Sequence, residues 1–217
     1  MKVMGVKTKE RGAGGEAKPS PRLSARDRLL AAADELFYSE GVHVVGVDRI
    51  VERAGVTKAT LYSTFGSKEE LVRAYLDKHF QNRQRSIAHI LAAHNTPRDR
   101  LLGVFAELEG ALAGSEFRGC RFIMASAEAR ADDASEVVAE EYRAWLQALF
   151  ADLGRQAGVN NAKEFGRQVS LLYDGAAVAA RMDRDRRGAA VAMRSAVVAL
   201  LDAAVSPRRS TSNRRAR

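Results

Sequence analysis

The stretch GVTKATLYSTFGSKEEL, residues 55 to 71, predicts two helices in quick succession. Thr57 can cap a helix of about two turns, because a Thr side chain accepts a hydrogen bond from the first turn. Gly66 can end that helix, and Ser67 can cap the next one with a glutamate three residues on, which is a capping box. A helix this short is stable only when it packs well, so what it faces is informative.

This short helix presents a face of small, hydroxyl-bearing side chains that contains no acid. Only Leu61 and Phe65, four residues apart, are obvious core residues. A helix predicted over 47–54 is joined to it by a three-residue turn, and two helices joined in this way form a helix-turn-helix motif. The second helix would then enter the major groove of DNA, with Lys68 and the helix N-termini holding phosphates.

Residues 46 to 76, GVDRIVERAGVTKATLYSTFGSKEELVRAYL, resemble the DNA-binding region of the TetR (tetracycline-repressor) family of bacterial transcription regulators. The resemblance extends over about 24–76. The segments GCRFIMASAEA (119–129) and GRQVSLLYDGAAVAARM (166–182) are similar to the C-terminal domains of one branch of that family. The resemblance implies an all-α fold of about nine helices, a homodimer that binds a palindromic operator in double-stranded DNA, and a pocket for a small-molecule effector in the larger domain.

The resemblance also assigns DNA contacts residue by residue. The family positions that face bases correspond to Lys58, Ala59, Thr60 and Ser63. The family positions that contact phosphates correspond to Tyr62, Thr64 and Lys68. Where many members carry Ser or Thr before the second helix, this chain has Gly46 and Val47, so a phosphate contact there would come from a backbone N–H or be absent.

The rest of the chain is also predicted to be helical, because 3.6-residue periodicity is frequent and period-2 alternation is almost absent. The predicted helices cover about 24–40, 47–54, 57–65, 68–94, a segment that begins at 97, 121–130, 135–156, 163–182 and 189–204. The chain then divides into a three-helix DNA-binding domain at 23–67 and a ligand-binding and dimerisation domain at 68–205. Disordered tails are expected at 1–22 and 206–217.

Both tails are strongly basic. Together they carry eleven of the 35 Lys and Arg residues and two of the 27 Asp and Glu residues, so the remainder holds 24 basic and 25 acidic side chains. The net charge of +8 therefore belongs to the tails. Segments of this composition are usually solvated and disordered, and the alternative is an arm that touches a polyanion such as DNA.

The last two helices predict a dimer interface. Five alanines between 189 and 203 are spaced 3, 4, 3 and 4 residues apart, which is the period of a coiled-coil seam built from the smallest side chains. The expected interface consists of Leu171, Gly175, Val178, Ala179, Met182, Ala189, Ala192, Ala196, Ala199 and Ala203. The alternative is that the alanines face solvent and only favour helix formation.

A ligand cavity is expected among the large apolar side chains of the bigger domain. The candidate lining residues are Phe105, Leu108, Phe122, Met124, Tyr142, Trp145 and Leu149. Since few polar groups accompany them, the effector is expected to be small and largely apolar or aromatic. The alternative is that these side chains are plain core.

The sequence carries no visible catalytic or metal-binding constellation, so we expect no enzyme activity, no metal and no cofactor. One cysteine permits no intrachain disulfide, and no apolar run approaches the roughly 18 residues of a membrane helix, so no membrane partner is expected. The prediction is a ligand-responsive DNA-binding regulator of the bacterial cytoplasm, nucleoid-associated when bound to DNA and most often a repressor. The alternatives are an activator, or a helical small-molecule-binding protein without a DNA function.

Overall fold

The computed structural model describes residues 23–129, 133–183 and 185–205, and these residues form nine α-helices and no strand. The helices are α1 (Ala25–Glu40), α2 (Val47–Ala54), α3 (Lys58–Phe65), α4 (Lys68–Ala93), α5 (Pro97–Ala113), α6 (Arg121–Glu128), α7 (Ala134–Gln156), α8 (Ala162–Met182) and α9 (Arg186–Val205). The predicted all-α class is confirmed, and most predicted helix limits agree within a residue or two. Both predicted tails, and the predicted end of the sixth helix at Arg130, lie outside the described residues.

Three side-chain caps fix the N-terminal helices where the sequence predicts them. The hydroxyl oxygens of Ser24, Thr57 and Ser67 each accept the backbone N–H three residues on, at 3.1 Å in every case. Gly55 adopts the left-handed conformation, with φ of 62°, at the end of α2. A side chain is strained in that conformation, so a glycine suits the sharp turn into α3.

Helix α4 joins the two parts of the molecule. Its first turns bury Leu71 and Tyr75 beside the small core of α1 to α3, and the ring of Tyr75 meets Phe37 of α1 edge to face at 5.4 Å. Further along, Ile87 is buried in the larger bundle. With 26 residues the helix spans about 39 Å, so one rigid element contacts both cores.

The larger bundle is centred on α5, α7 and α8. The rings of Phe105, Phe150 and Tyr173 lie 5.6–5.8 Å apart around its centre. A Cβ atom at Gly166 would lie 2.7 Å from the carbonyl oxygen of Gln147, so α7 and α8 cross too closely for a side chain at that position.

Helix α9 is the one described helix that could cross a membrane by length and composition alone. It is 20 residues long, and an 18-residue window within it has a mean hydropathy of 1.6, although charged residues interrupt it and no unbroken apolar run approaches that length. One side of the helix buries Ala190, Met193, Val197 and Leu201 in the bundle. Asp202 pairs with Arg98 of α5. The helix is thus a bundle element that also leaves apolar residues exposed, among them Val191, Ala199 and Ala203.

Candidate DNA interface and effector cavity

Helix α3 packs on the core of α1 to α3 through one fully buried side chain, and most of its other side chains are exposed. Leu61 is fully buried and Phe65 is half-buried under the guanidinium of Arg26, which lies 5.1 Å from the ring centroid. Of the predicted base-facing and phosphate-contacting positions, Lys58, Ala59, Tyr62 and Ser63 are exposed, and Thr60 and Thr64 are half-exposed. The predicted positions on this helix are therefore all at least partly accessible, and only Leu61 and Phe65 turn toward the core.

The turn between α2 and α3 is held by a residue that the sequence analysis missed. Arg28 of α1 donates from Nη1 to the carbonyl oxygens of Ala54 and Gly55, at 3.2 and 3.0 Å. These carbonyls close α2, so the arginine satisfies acceptors that the helix end leaves open. No local spacing rule links Arg28 to a turn 26 residues away, so only the folded chain reveals this contact.

The hydroxyl groups of α3 are partly engaged within the helix. The side chains of Ser63 and Thr64 donate to the carbonyl oxygen of Thr60, at 3.1 and 2.6 Å. The hydroxyl of Thr60 lies 2.9 Å from that of Thr57. A base-edge contact by any of these groups requires either their remaining acceptor capacity or rotation of the hydroxyl away from the helix.

An acidic side chain stands next to the predicted DNA-reading face. Asp48 of α2 approaches Lys58 with an Oδ1–Nζ distance of 2.7 Å, and both side chains are mostly exposed. The hydrogen bond and the charge of Asp48 raise the pKa of Lys58. The acid-free stretch in the sequence is therefore not acid-free in space, and DNA would compete with Asp48 for this lysine.

The other predicted phosphate positions lie at the start of α2 and α4. Gly46 caps α2 without a side-chain hydrogen bond, and Val47 is half-buried, so only backbone N–H groups serve a phosphate there. The Nζ of Lys68 lies 3.5 Å from the carbonyl oxygen of His43. Partial burial lowers the pKa of Lys68, against the opposing charges of nearby glutamates.

A cavity of about 340 Å³ lies between the two parts of the molecule, and we call it the arginine cavity. Its polar wall is one face of α4, where the lining side chains lie three, four and seven positions after His79, together with groups of α5 and α6. Its apolar wall comes from α5 to α8 and the loop before α6. The lining side chains include His79, Asn82, Arg83, Ser86, Glu107, Leu108, Phe117, Arg121, Phe122, Tyr142, Tyr173 and Ala177.

Arg83 and Glu107 form the centre of the polar wall. The guanidinium of Arg83 pairs with Glu107 and hydrogen-bonds the phenol of Tyr173, while the hydroxyl of Ser86 donates to Glu107 at 2.8 Å. Burial raises the pKa of Tyr173 to about 12 and that of Tyr142 well above its usual range. Both phenols therefore stay neutral, and the charges of the wall are those of the arginines and the glutamate.

Arg121 connects the cavity to α1. Its guanidinium carbon lies 3.7 Å from the ring centroid of Tyr38, and its Nη2 lies 3.4 Å from Asp34 Oδ1. His79 also contacts Asp34 Oδ1, at 2.9 Å. Burial acts to raise the pKa of Asp34, but the hydrogen bond from His79 and the charge of Arg121 outweigh it and hold that pKa below its usual value.

The seven predicted pocket residues separate in the structure. Leu108, Phe122 and Tyr142 line the arginine cavity, whereas Met124 lines a neighbouring cavity of about 400 Å³ between α6 and α8. The remaining three, Phe105, Trp145 and Leu149, lie outside both cavities. Trp145 packs instead against Phe80, with 5.4 Å between ring centroids. The polar wall is an addition to the expected lining, since its α4 side chains were assigned no role from the sequence.

The predicted seam residues lie on surface that no other described part of the chain covers fully. On α8, Leu171, Gly175, Val178 and Met182 are exposed and Ala179 is half-exposed. On α9, Ala192, Ala199 and Ala203 are exposed, and Ala189 and Ala196 are half-exposed. The exposed fraction of Met182 is 76% and that of Leu171 is 57%, which is high for side chains of this size.

Comparison with known proteins agrees with this architecture. The profile of bacterial regulatory proteins of the tetR family matches residues 29–75. A TetR-family transcriptional regulator from Streptomyces coelicolor of known crystal structure superposes with a TM-score of 0.80 at 30% sequence identity, and the alignment covers 84% of this chain and 96% of that one. This chain, whose described residues form nine helices with an exposed helix-turn-helix, therefore belongs to the TetR family of transcriptional regulators.

Two relatives with named roles match less than half of this chain. The transcriptional activator FasR of Mycolicibacterium smegmatis is 40% identical over 94 residues, which are 42% of this chain and 43% of that protein. The transcriptional repressor KstR2 of the same species is 35% identical over 91 residues, which are 40% of this chain and 42% of that protein. The aligned part is thus less than half the length of either relative, and these relatives include both directions of control.

Proposed function

We propose that this regulator binds an operator as a homodimer and that a small molecule in the arginine cavity releases it, so that it acts as a repressor. The observation that carries the proposal is the contact of Arg121 with both the cavity and α1. A ligand that shifts Arg121 changes a group that holds Asp34 and Tyr38, which belong to the first helix of the DNA-binding region. Ligand and DNA need only prefer different arrangements of this contact to oppose each other.

DNA recognition is assigned to α3 with support from two helix starts. In this assignment Lys58, Ala59, Thr60 and Ser63 face bases, and Tyr62, Thr64, Lys68 and the backbone at Gly46 and Val47 contact phosphates. The exposure of α3 and the small side chains of Ala59, Thr60 and Ser63 favour entry into a major groove. The protein would then reside in the cytoplasm and be found at the nucleoid when bound, with no enzymatic role.

Dimerisation is assigned to the exposed side of α8 and α9. One recognition helix reads a half-site, so a palindromic operator requires two copies related by a two-fold axis. The alanines of α9 let a partner helix approach to the short end of the usual ~8–10 Å range. Exposed Leu171, Val178 and Met182 of α8 supply the apolar area that such an interface buries.

The two relatives differ in whether they activate or repress transcription, because FasR is named an activator and KstR2 a repressor. A reporter gene under the promoters that the protein binds separates the two. Deletion of the regulator should raise expression if it represses and lower expression if it activates.

The DNA assignment is tested by fluorescence anisotropy of the full chain with genomic fragments, using Ser63→Ala and a matched control, Ser115→Ala. Both serines are exposed, but Ser115 lies in the loop after α5. Ser63→Ala should cost about 1–3 kcal/mol on the preferred fragment and little on random DNA. Equal behaviour of both variants would remove the base contact at Ser63, and failure of the unaltered chain to retain any fragment would contradict a DNA function.

A further inference from the structure

The arginine cavity has more cationic than anionic side chains on its surface. Arg83 and Arg121 line it from α4 and α6, and Glu107 is the acid among its lining residues. Asp34 stands behind Arg121 but does not line the cavity. The lining therefore carries one net positive charge when His79 is neutral, and a cleft lined by charge of one sign attracts the opposite charge even where it opens to solvent.

Both arginines also have a donor that the protein leaves unused. The Nε–H groups of Arg83 and Arg121 are buried, and neither has a hydrogen-bond partner within the described part of the chain. A buried donor without an acceptor costs about 1–3 kcal/mol, so native proteins rarely leave two of them at one cavity without a use. Both Nε atoms are closed to solvent, so an acceptor in the cavity would reach them only after the guanidinium groups turn toward it.

The opposite wall accommodates an apolar group. Leu108, Phe117, Phe122 and Ala177 line it, and the ring of Phe122 stacks on Tyr142 with 3.8 Å between centroids. The volume of about 340 Å³ is at the lower end of the usual range for small-molecule pockets, roughly 300–1,000 Å³. A fitting molecule thus has a compact apolar body with one polar end.

We propose that the arginine cavity binds a small amphipathic carboxylate, with the carboxylate between Arg83 and Arg121 and the apolar body against Leu108, Phe117 and Phe122. A guanidinium donates to a carboxylate with matched, often bidentate geometry. A single negative charge balances the lining, whereas a phosphate dianion would leave an excess negative charge beside Glu107. The role of this ligand as an effector rests on the proposed function, whereas the binding of a carboxylate in the cavity can be tested without it.

The same geometry explains how binding reaches the DNA-binding region. Asp34 of α1 holds Arg121 at 3.4 Å, which is a longer contact than that of Asp34 with His79 at 2.9 Å. A ligand carboxylate competes with Asp34 for Arg121. Weakening that contact loosens α6 from α1, and α1 carries the helix-turn-helix through Arg28.

The experiment compares 1-naphthoate with 1-naphthamide and 3-phenylpropionate with its amide, and adds phenyl phosphate as a dianion. Binding to the full chain is measured by thermal shift and calorimetry without DNA, and release of a bound operator fragment is measured separately. Each carboxylate should bind at least about tenfold more tightly than its amide and more tightly than phenyl phosphate. Equal or weaker binding than the amides, tighter binding of phenyl phosphate, or no binding by either carboxylate, would overturn the proposal.

Variants locate the site. Arg121→Gln should abolish the preference for the carboxylate, because it removes the net positive charge of the lining. The double variant Arg83→Met with Glu107→Leu keeps that net charge but removes one of the two guanidinium donors, so it should weaken the preference, and it serves as the test if Arg121→Gln folds poorly. Arg143→Gln is the matched control, because Arg143 pairs with Asp174 outside the arginine cavity. A preference that survives both cavity variants would place the anion elsewhere.

The outcomes also separate this proposal from the proposed function. If the amides bind as tightly as the acids and release DNA, ligand control stands and the carboxylate site is wrong. If the carboxylates bind preferentially but leave the protein on its operator, the site stands and control by this ligand class is wrong.

Discussion

The carboxylate of Glu128, in the last turn of α6, accepts a hydrogen bond from the backbone N–H of His43 at 3.0 Å. His43 lies in the loop between α1 and α2, so the contact ties the larger bundle to the DNA-binding region. The same carboxylate lies against Gly41, where an added Cβ would be 2.5 Å away. Helix α6 therefore contacts the DNA-binding region at both of its ends, through Arg121 at its start and Glu128 in its last turn.

Removing the hydrogen bond between Glu128 and His43 should weaken the attachment of the larger bundle to the DNA-binding region. Glu128→Ala removes the acceptor, and we expect it to cost about 1 kcal/mol of stability and to reduce the ligand's effect on DNA affinity. Glu128→Gln keeps a carbonyl oxygen at the same place and should retain most of both. Chemical denaturation and operator titrations with and without ligand measure the two effects. Identical behaviour of the Ala and Gln variants would mean that this hydrogen bond does not couple the domains.

Removing the acid beside the DNA-reading face should strengthen DNA binding. Asp48→Asn frees Lys58 from its partner and deletes a negative charge near the phosphates, so affinity should rise about three- to tenfold at low salt. The slope of log affinity against log salt should steepen by up to about one counterion. Asp152→Asn is the control, because Asp152 forms an equally exposed pair with Arg155 on α7. Unchanged affinity in Asp48→Asn would show that Lys58 does not contact DNA.

The proposed seam is best tested at a position of α9 that the same protomer leaves exposed. Ala199 is exposed on α9, whereas Ala196 is already half-covered within the chain. In a two-fold interface Ala199→Glu would bury two unpaired carboxylates, each costing several kcal/mol, so a monomer without operator affinity is expected by light scattering and anisotropy. Ala88→Glu, on an exposed position of α4, should remain dimeric. A dimeric Ala199→Glu protein with full affinity would move the seam to another surface.

Two partly buried aspartates should respond to pH in opposite directions. The pKa of Asp34 is below its usual value, so its contribution to stability is present above the unfolded value of about 3.9 and is lost as pH falls through the folded one. Burial raises the pKa of Asp174 despite its pairing with Arg143, so its contribution is present below about 3.9 and is lost as pH rises through the raised value.

Substitution by asparagine at pH 7 should expose this difference. Asp34→Asn should destabilise by about 1 kcal/mol because His79 and Arg121 lose a charged partner. Asp174→Asn should be neutral or stabilising, since the partly exposed Arg143 can turn to solvent. The measurement is urea denaturation at pH 7 and pH 4, where the gap between the variants should narrow. A larger loss for Asp174→Asn at pH 7 would reverse the ranking.

Features that depend on residues close together in the sequence could be predicted, and features that depend on residues far apart in the sequence could not. Caps such as Thr57 and Ser67 act within one turn, so helix boundaries were predictable from neighbouring residues. The polar wall was not, because Arg83 and Tyr173 are 90 residues apart and only folding brings them together. Large apolar residues such as Phe105 and Trp145 were candidates for the cavity, yet apolar character alone does not separate a cavity wall from packed core.

The alanines on the outer side of α9 also bear on which copies pair. A methyl group sets how closely two helices approach, but it offers neither charge nor shape by which one partner is distinguished from another. A bacterium that produces several regulators with similar small-residue seams would form mixed pairs unless flanking side chains prevent it. In the proposed seam that discrimination would fall to side chains such as Leu171, Met182 and Arg194, which are exposed on the same two helices. Exchange of these three residues between paralogues would then redirect pairing, and with it the combinations of half-sites that the cell can read.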